Sequence, residues 1–236
     1  MGEPGNDGSG RGGRRQEVRS QIALAAMDLF AEQGFESTTV DRIAEQAGVG
    51  RRTFFRYFRS KEDAVFPGHD ERLADVVERL RTTSDEADPL QVLTEIAGLV
   101  LDMYVAEPQV SLKRFELTRQ VGALRDKEIA SIDRYQRVFA RYLRRCWAAG
   151  ADAELHAAMA AAAVVAAHNQ VLRSWLRAGG SGDPHVQLRV AMAVVREKFG
   201  GRDPGAGEVV VGVVRTSAPA NEVRGRVEDA LRHIAT

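Results

Sequence analysis

Residues 38–61 read TTVDRIAEQAGVGRRTFFRYFRSK, and this stretch decides the fold of the first part of the chain. Thr39 has the side chain of a helix N-cap. The apolar residues after it recur at helical spacing and are Val40, Ile43, Ala44 and Ala47. Gly48 follows them directly, where a residue that tolerates positive φ ends a helix and turns the chain. The pattern predicts a second short helix from about Gly50 to Phe58, and therefore a helix-turn-helix.

The second of these helices concentrates positive charge. The basic residues between positions 51 and 61, a stretch with no acidic residue, are Arg51, Arg52, Arg56, Arg59 and Lys61. We expect Phe54, Phe55 and Phe58 to anchor the helix. The residues expected to point outward are Arg51, Arg52, Thr53, Arg56 and Tyr57. A basic helix of this kind suits the phosphate-lined groove of double-stranded DNA. The alternative is an ordinary helical hairpin with a solvated basic face.

Residues 16–65 resemble the N-terminal domain of the TetR/AcrR family of bacterial transcriptional regulators. The residues that carry the resemblance are Ile22, Ala25, Ala26, Leu29, Phe30, Gly34, Phe35, Thr38, Thr39, Val40, Ile43, Ala44, Ala47, Gly48, Val49, Tyr57, Phe58, Lys61 and Glu62. The family usually has a small residue and Leu-Tyr in the middle of the second helix, where this chain has Arg52 and Phe54-Phe55. We interpret the departure as a change in base preference.

Specific roles follow for the residues expected to meet DNA. The outward-facing residues of the second helix, Arg51, Arg52, Thr53, Arg56 and Tyr57, would enter the groove. An arginine among them can bridge two acceptors on guanine. Thr39 and Lys61 are expected to contact phosphates, which position a protein on the duplex without reading its sequence.

Composition excludes several classes of protein. Lysine plus arginine equals aspartate plus glutamate, at 33 each, so the net charge is zero and the basic patch is local. Cys146 is the single cysteine, which predicts no internal disulfide and a reducing, cytoplasmic location. No run approaches ~18 uninterrupted apolar residues, so no membrane span is expected. Residues 1–15 are glycine-rich and lack the apolar segment of a secretion signal.

The predicted fold class is all-α, with a three-helix head, a helical-bundle body and a short β-prone tail. We expect a flexible arm at 1–14, the head at 15–61, a ligand-binding and dimerisation body at 62–200, and the tail at 201–236. The first helix should run from about 15 to 33. Ser60 should cap a helix that reaches about Arg81, interrupted at Pro67-Gly68. Later helices are expected from Pro89, over 108–121, 126–150, 152–178 and 184–199.

The tail departs from the helical pattern. Residues 208–216 read EVVVGVVRT and are strongly β-prone, whereas 221–235 show helical spacing. A lone strand needs a partner. Either it pairs with its copy in a second subunit, or the tail is partly ordered.

The family resemblance implies a homodimer in which the last two long helices of each subunit form a four-helix bundle. The sequence provides small residues that allow close approach: Ala157, Ala158, Ala160, Ala161, Ala162, Ala163, Ala166 and Ala167. The residues expected to supply apolar surface are Val164, Val165, Leu172, Val190, Met192, Val194 and Val195. The alternative is that these helices are buried inside one subunit.

The resemblance also implies a pocket for a small apolar or amphipathic organic effector in the body. The candidate lining residues are Arg119, Tyr135, Phe139, Trp147, His168 and Asn169, with Tyr104 as a further wall residue. His168 and Asn169 interrupt an otherwise apolar helix. For each polar residue, the alternative is a buried group whose hydrogen bonds are made within the core, or a member of an internal ion pair.

No enzymatic motif accompanies these features. The five histidines show no His-Glu-x-x-His spacing, and the chain lacks a P-loop and a Gly-x-Ser-x-Gly elbow. We therefore expect no catalysis, metal or cofactor. The sequence predicts a TetR-type regulator, most simply a repressor that binds operator DNA as a dimer and is released by an effector. An architectural DNA-binding protein without an effector is the alternative, and an enzyme is the least favoured one.

Overall fold

The computed structural model describes residues 8–84, 87–147 and 152–200, with side chains from Gly13 onward. Within these ranges the regular structure is helical and contains no strand, which confirms the all-α prediction. The helices are α1 (Gly8–Gln33), α2 (Val40–Gln46), α3 (Arg51–Tyr57), α4 (His69–Thr82), α5 (Pro89–Ala106), α6 (Pro108–Gln120), α7 (Gly122–Cys146), α8 (Ala153–Arg177) and α9 (Pro184–Phe199). A short 3-10 helix, Asp63–Val65, precedes α4.

The head consists of α1, α2 and α3, and its turns form as predicted. The Thr39 hydroxyl oxygen accepts a hydrogen bond from the backbone N–H of Arg42 at 3.3 Å, which caps α2. Gly48 has a φ of 63°, a value that side-chain-bearing residues rarely adopt, and it reverses the chain between α2 and α3. Phe54 and Phe58 are buried against Ile22, Phe30 and Ile43 in the head core.

The first helix begins earlier than predicted. The expected flexible arm ended at residue 14 and the helix began at about 15, but α1 begins at Gly8. Once a helix is nucleated, each added residue gains a backbone hydrogen bond. The packed segment between Ile22 and Phe30 supplies that nucleus, and the helix extends from it toward the N-terminus.

The connection between head and body is interrupted where proline and glycine predicted it. The Ser60 hydroxyl oxygen accepts from the backbone N–H of Asp63 at 3.3 Å, so Ser60 caps the 3-10 helix. Gly68 has a φ of 75° and separates this short helix from α4. His69 is therefore the first residue of a new helix rather than part of a continuous connector.

The body is built from α5 to α9 around its own apolar core. The Asp88 carboxylate caps α5, accepting from the backbone N–H of Leu90 at 3.0 Å. Helix α7 begins at Gly122, four residues before the predicted Asp126, and packs along α8. The largest fully buried side chains of this core are Leu90, Leu93, Ile96, Leu101, Leu143 and Met192. Helix α7 ends at Cys146, where Trp147 leaves the helical conformation, before the predicted end at Gly150. The tail from 201 to 236 lies outside the described residues.

Helices α5 and α8 each have the length and the mean hydropathy, 1.3, of a membrane-crossing helix. Both contribute to the body core, α5 through residues such as Leu93 and Ile96 and α8 through Val164 and Leu172. Core helices of globular proteins pass the same test of length and composition, and burial accounts for these apolar residues.

The buried core of the head extends into helices α6 and α7 of the body. Val110 and Leu117 of α6 and Leu124 of α7 belong to the same buried cluster as Ile22 and Phe54. Polar contacts reinforce this junction, since Arg19 of α1 pairs with Glu71 of α4 at 3.0 Å. Helix α1 is thus fixed to both α4 and α6.

Candidate functional site

Helix α3 presents one face to the head core and the other to solvent. Phe54, which is fully buried, holds the helix in place, and Phe58 assists it one turn later. Arg51, Arg52 and Arg56 are exposed on the outer face. Thr53 and Tyr57, also predicted to point outward, are half-buried at its edges. The predicted basic surface is therefore present on a rigidly anchored helix.

The prediction of the residues that anchor α3 was wrong for Phe55. It was expected to anchor α3, but 46% of it is exposed. Adjacent positions on a helix differ by about 100°, so Phe54 and Phe55 cannot face the same core. The guanidinium of Arg51 lies over the Phe55 ring, 5.3 Å from its centroid. This aromatic and cationic pair adds an apolar surface to the outer face of α3, suited to thymine methyl groups or sugars.

The exposed arginines of the head differ in their partners. Arg51 donates to the Asp41 carboxylate of α2 at 2.6 Å, so its guanidinium is already oriented. Arg52 makes no ion pair with any described residue, and its five donors are available to an external acceptor. Thr39 is exposed and uses its oxygen as a helix cap, which leaves its hydroxyl proton to donate to a phosphate.

Lys61 has a different environment from the one predicted. Its ammonium donates to the backbone carbonyls of Phe35 at 2.6 Å and Thr38 at 3.1 Å. It also lies over the Phe35 ring, 4.2 Å from the centroid. These contacts tie the loop between α1 and α2 to the end of α3, so Lys61 has a structural role, and its phosphate contact stays a prediction.

A cavity lies in the body between α4, α5, α6, α7 and α8. Its volume is about 60 Å³, which is smaller than the roughly 150 Å³ of a cavity that holds benzene. Its apolar walls include Phe66, Val100, Ile132, Phe139, Val165 and Leu172. The polar residues that line it are His69, Tyr104, Ser111, Arg114, Glu128, Ser131, Tyr135, His168, Asn169 and Arg173. Apolar walls with a few polar groups are typical of sites for small organic ligands.

Tyr104 stands among the polar residues of this cavity. Its hydroxyl lies 3.2 Å from Nε2 of His69, and its ring is 4.6 Å from the guanidinium carbon of Arg114. The imidazole of His168 packs beside the same ring, with the two centroids 6.3 Å apart. One residue of α5 thus contacts α4, α6 and α8.

Burial changes the proton affinity of these groups. It lowers the pKa of His69 to about 3 and that of His168 to about 4, since a buried imidazolium loses its hydration. Both rings are therefore neutral near pH 7. Burial also lowers the pKa of the Arg114 guanidinium, against the attraction of Tyr104, Glu128 and Glu107. Tyr135 has its pKa raised, again mainly by burial.

Four of the six predicted effector residues line the cavity: Tyr135, Phe139, His168 and Asn169. The other two do not. Arg119 is exposed and pairs with Glu116 at 3.6 Å. Trp147, at the end of α7, packs against His156 of α8, with ring centroids 4.7 Å apart.

Leu112 and Phe115 pack against the body core, as the sequence suggested, and Phe115 lines the cavity. Arg119 lies one turn after Phe115, at the end of α6, where its guanidinium is over the Phe115 ring and remains exposed. Sequence reasoning missed Arg114, because a polar stripe seldom marks an inward face.

Helices α8 and α9 also expose an apolar face. Its exposed large side chains are Leu155, Met159, Val186, Val190 and Val194, and the exposed Ala166 and half-buried Ala162 continue the α8 row. The spacing of three or four residues places each row on one side of its helix. The prediction of apolar surface was wrong for Val164, Val165, Leu172, Met192 and Val195, which are buried in the core of their own subunit.

Comparison with known proteins agrees with this architecture. Residues 22–65 match the family described as bacterial regulatory proteins, tetR family. The transcriptional regulator TcmR of Streptomyces glaucescens is 32% identical over 130 residues, which cover 55% of this chain and 54% of that protein. The regulator AcrR of Shigella flexneri is 26% identical over 198 residues, covering 78% of this chain and 90% of AcrR.

The chain spans about half the length of TcmR and of the activator FasR of Mycolicibacterium smegmatis, at 54% and 56%. A solved structure of NalD, the secondary repressor of the MexAB-OprM multidrug efflux pump in Pseudomonas aeruginosa, shares the fold. Its TM-score is 0.53 at 19% identity, with 81% of this chain and all of that chain covered. The family match to the head leads to one assignment: residues 22–65 form a domain of the tetR family of bacterial regulatory proteins.

Proposed function

We propose that the chain is a transcriptional regulator that binds operator DNA as a homodimer, acts as a repressor, and is released by a small organic effector. The observation that carries the proposal is the outer face of α3, where Arg51, Arg52 and Arg56 are exposed beside Phe55. Because Phe54 fixes the helix from the opposite side, these side chains can enter a major groove together. Repression by occupancy needs no catalysis and takes place in the cytoplasm.

The exposed apolar face of α8 and α9 supports the dimer. Val190 is 65% exposed and Met159 is 51% exposed, which is unfavourable in water unless a partner covers them. A second copy of the same face would bury both rows and place two heads on one DNA duplex. Two-fold assemblies match the two-fold symmetry of most operators.

The cavity supports an effector, and its small free volume suggests how the effector would act. A ligand larger than a few water molecules has to displace the wall, which includes His69 at the start of α4 and Phe66 of the head core. An effector that prefers the displaced conformation lowers the affinity of the protein for DNA. By thermodynamic linkage, bound DNA lowers the affinity for the effector by the same factor.

Selection of binding sites from random DNA tests the proposal. We expect enrichment of a two-fold symmetric sequence by the full-length protein, and loss of that enrichment in Arg52→Ala. Arg81→Ala is the matched control, since Arg81 is exposed on α4 and pairs with Glu78 at 2.7 Å. A library that stays random after repeated rounds would contradict operator recognition. If the selected DNA is never released by small molecules, the architectural alternative gains support instead.

A further inference from the structure

Arg114 is a charged residue inside the wall of the body cavity. It is 6% exposed, although it lies on a helix near the protein surface. Its guanidinium packs over the Tyr104 ring, and one N–H donates to the Ser111 hydroxyl at 3.5 Å, a long hydrogen bond. Arginine has five N–H donors in a fixed fork. Most of this capacity is not used by the described residues.

The charge of Arg114 is also incompletely balanced. No carboxylate oxygen of the described residues lies within ion-pair distance of it. Glu107 attracts it, but the Glu107 carboxylate accepts from Ser20 at 2.7 Å and from Gln16 at 3.0 Å. Glu128 lines the cavity and attracts Arg114 from farther away, and the exposed Arg173 adds another cation. An arginine buried without a close anion is costly, so its presence indicates a role beyond packing.

Two further polar atoms in the cavity wall lack partners. Nε2 of His168 and the hydroxyl oxygen of Tyr135 are buried, with no hydrogen-bond partner among the described residues. His168 as a whole is 8% exposed and lines the cavity. Unsatisfied buried polar atoms are uncommon in folded proteins. Together with Arg114 they provide one cationic donor group and two neutral hydrogen-bonding groups around an apolar space.

We infer that the effector is an organic acid whose carboxylate binds the Arg114 guanidinium. A planar carboxylate matches the arginine fork and forms paired, charge-assisted hydrogen bonds. The apolar part of the acid would pack against Phe139, Val165 and Leu172, within reach of His168. This inference rests on the proposed function, because it names the chemical class of the effector that the same cavity binds.

Matched pairs of ligands test the inference. Calorimetry would compare 3-phenylpropanoate with 3-phenylpropanamide, and octanoate with octanamide, on full-length protein near pH 7. Each pair has the same apolar part and differs in the anionic group. We expect the acids to bind the wild type about tenfold tighter or more, the scale of hydrogen bonds to charged groups. Arg114→Gln should remove this preference.

Two other variants sharpen the experiment. Arg119→Gln is the control, because Arg119 lies on the same helix but is exposed and pairs with Glu116. It should keep the preference for acids. Glu128→Gln should increase the affinity for acids, since it removes a carboxylate that competes for Arg114.

Three results would overturn the inference: amides that bind the wild type as tightly as acids, an Arg114→Gln protein that still prefers acids, or no binding of any acid. If Arg114→Gln does not fold, judged by circular dichroism, the wild-type comparison of acid with amide decides alone. The outcome is separable from the proposed function. Acids that bind without releasing DNA would keep the carboxylate site at Arg114 and contradict release by an effector, whereas amides that release DNA would keep the release and contradict the preference for acids.

Discussion

Nε2 of His69 lies 3.2 Å from the hydroxyl oxygen of Tyr104, so the first residue of α4 is hydrogen-bonded to the wall of the body cavity. On its other side, the His69 ring packs edge-on against Phe66, with centroids 5.4 Å apart. Phe66 belongs to the buried cluster of the head. Two side chains therefore connect the cavity to the core that supports the DNA-facing helix.

Removal of the Tyr104 hydroxyl should weaken this connection. Tyr104→Phe leaves a buried ring nitrogen of His69 without its partner, which costs about 1–3 kcal/mol of unfolding free energy. We also expect an effector to release DNA less completely from this variant. Urea unfolding and DNA titrations with and without effector measure the two effects. Tyr135→Phe is the control for stability, since the Tyr135 hydroxyl has no partner among the described residues. Equal losses of unfolding free energy in both variants would argue against a special role for the pair.

Arg52→Ala should reduce operator affinity by about 1–3 kcal/mol if Arg52 reads a base, with a smaller loss on random DNA. The reason is that Arg52 is exposed on α3 and makes no ion pair within the described chain, so its donors are available to guanine. Fluorescence titrations on both DNAs at several salt concentrations separate base from phosphate contacts. Equal losses on operator and random DNA would reassign Arg52 to the phosphate backbone.

Lys61→Met should destabilise the protein, in addition to any effect on DNA binding. The ammonium donates to two backbone carbonyls, and the loss of these bonds should cost about 1–3 kcal/mol. Chemical unfolding monitored by circular dichroism measures this cost. Lys198→Met, which changes an exposed lysine on α9 paired with its neighbour Glu197, should change stability by less than about 0.5 kcal/mol. A fully stable Lys61→Met protein with a reduced salt dependence would support the phosphate contact.

Val190→Glu should convert the proposed dimer into monomers, because a charge placed in an apolar interface loses its hydration. The expected mass from light scattering falls by half, and operator binding weakens because the two heads are no longer joined. Val77→Glu is the matched control, since Val77 is 44% exposed on α4, away from this face. Ala166→Glu should behave like Val190→Glu. Dimers that persist in both α8 and α9 variants would place the interface elsewhere.

Acid should destabilise the fold through its buried histidines. The pKa of His168 is about 4 when folded, against 6.5 for an ordinary imidazole. Between these values the unfolded chain binds a proton that the folded chain excludes, so the unfolding free energy falls as the pH falls from 6.5 toward 4. The slope approaches about 1.4 kcal/mol per pH unit for each such histidine. His168→Leu should show a shallower slope in urea unfolding across this range, and an unchanged slope would show that His168 is not the source.

Local chemistry made the head predictable from sequence. A cap at Thr39 and a glycine at Gly48 act on their own neighbours, and the structure places both as expected. The side of α3 that faces inward depends on which rows of residues the rest of the head covers. For this reason Phe54 and Phe55, adjacent and identical in chemistry, have opposite environments.

The body was harder to predict because its assignments depend on which neighbour a helix meets. Val164 and Val190 look alike in sequence, but the first is 1% exposed and the second 65%. In α6, Arg114 faces a cavity that other helices create, while Arg119 faces solvent. Helical periodicity separates the faces of a helix but does not state which face meets which neighbour.

The shared core at Val110, Leu117 and Leu124 bears on how this protein can be re-engineered. A chimera that joins this head to a foreign body at residue 61 would cut through a packed cluster and leave α1 facing unmatched side chains. Grafting therefore requires α6 and the first turn of α7 to travel with the head. New DNA specificities are more readily obtained by changing the outer face of α3, which the junction does not touch.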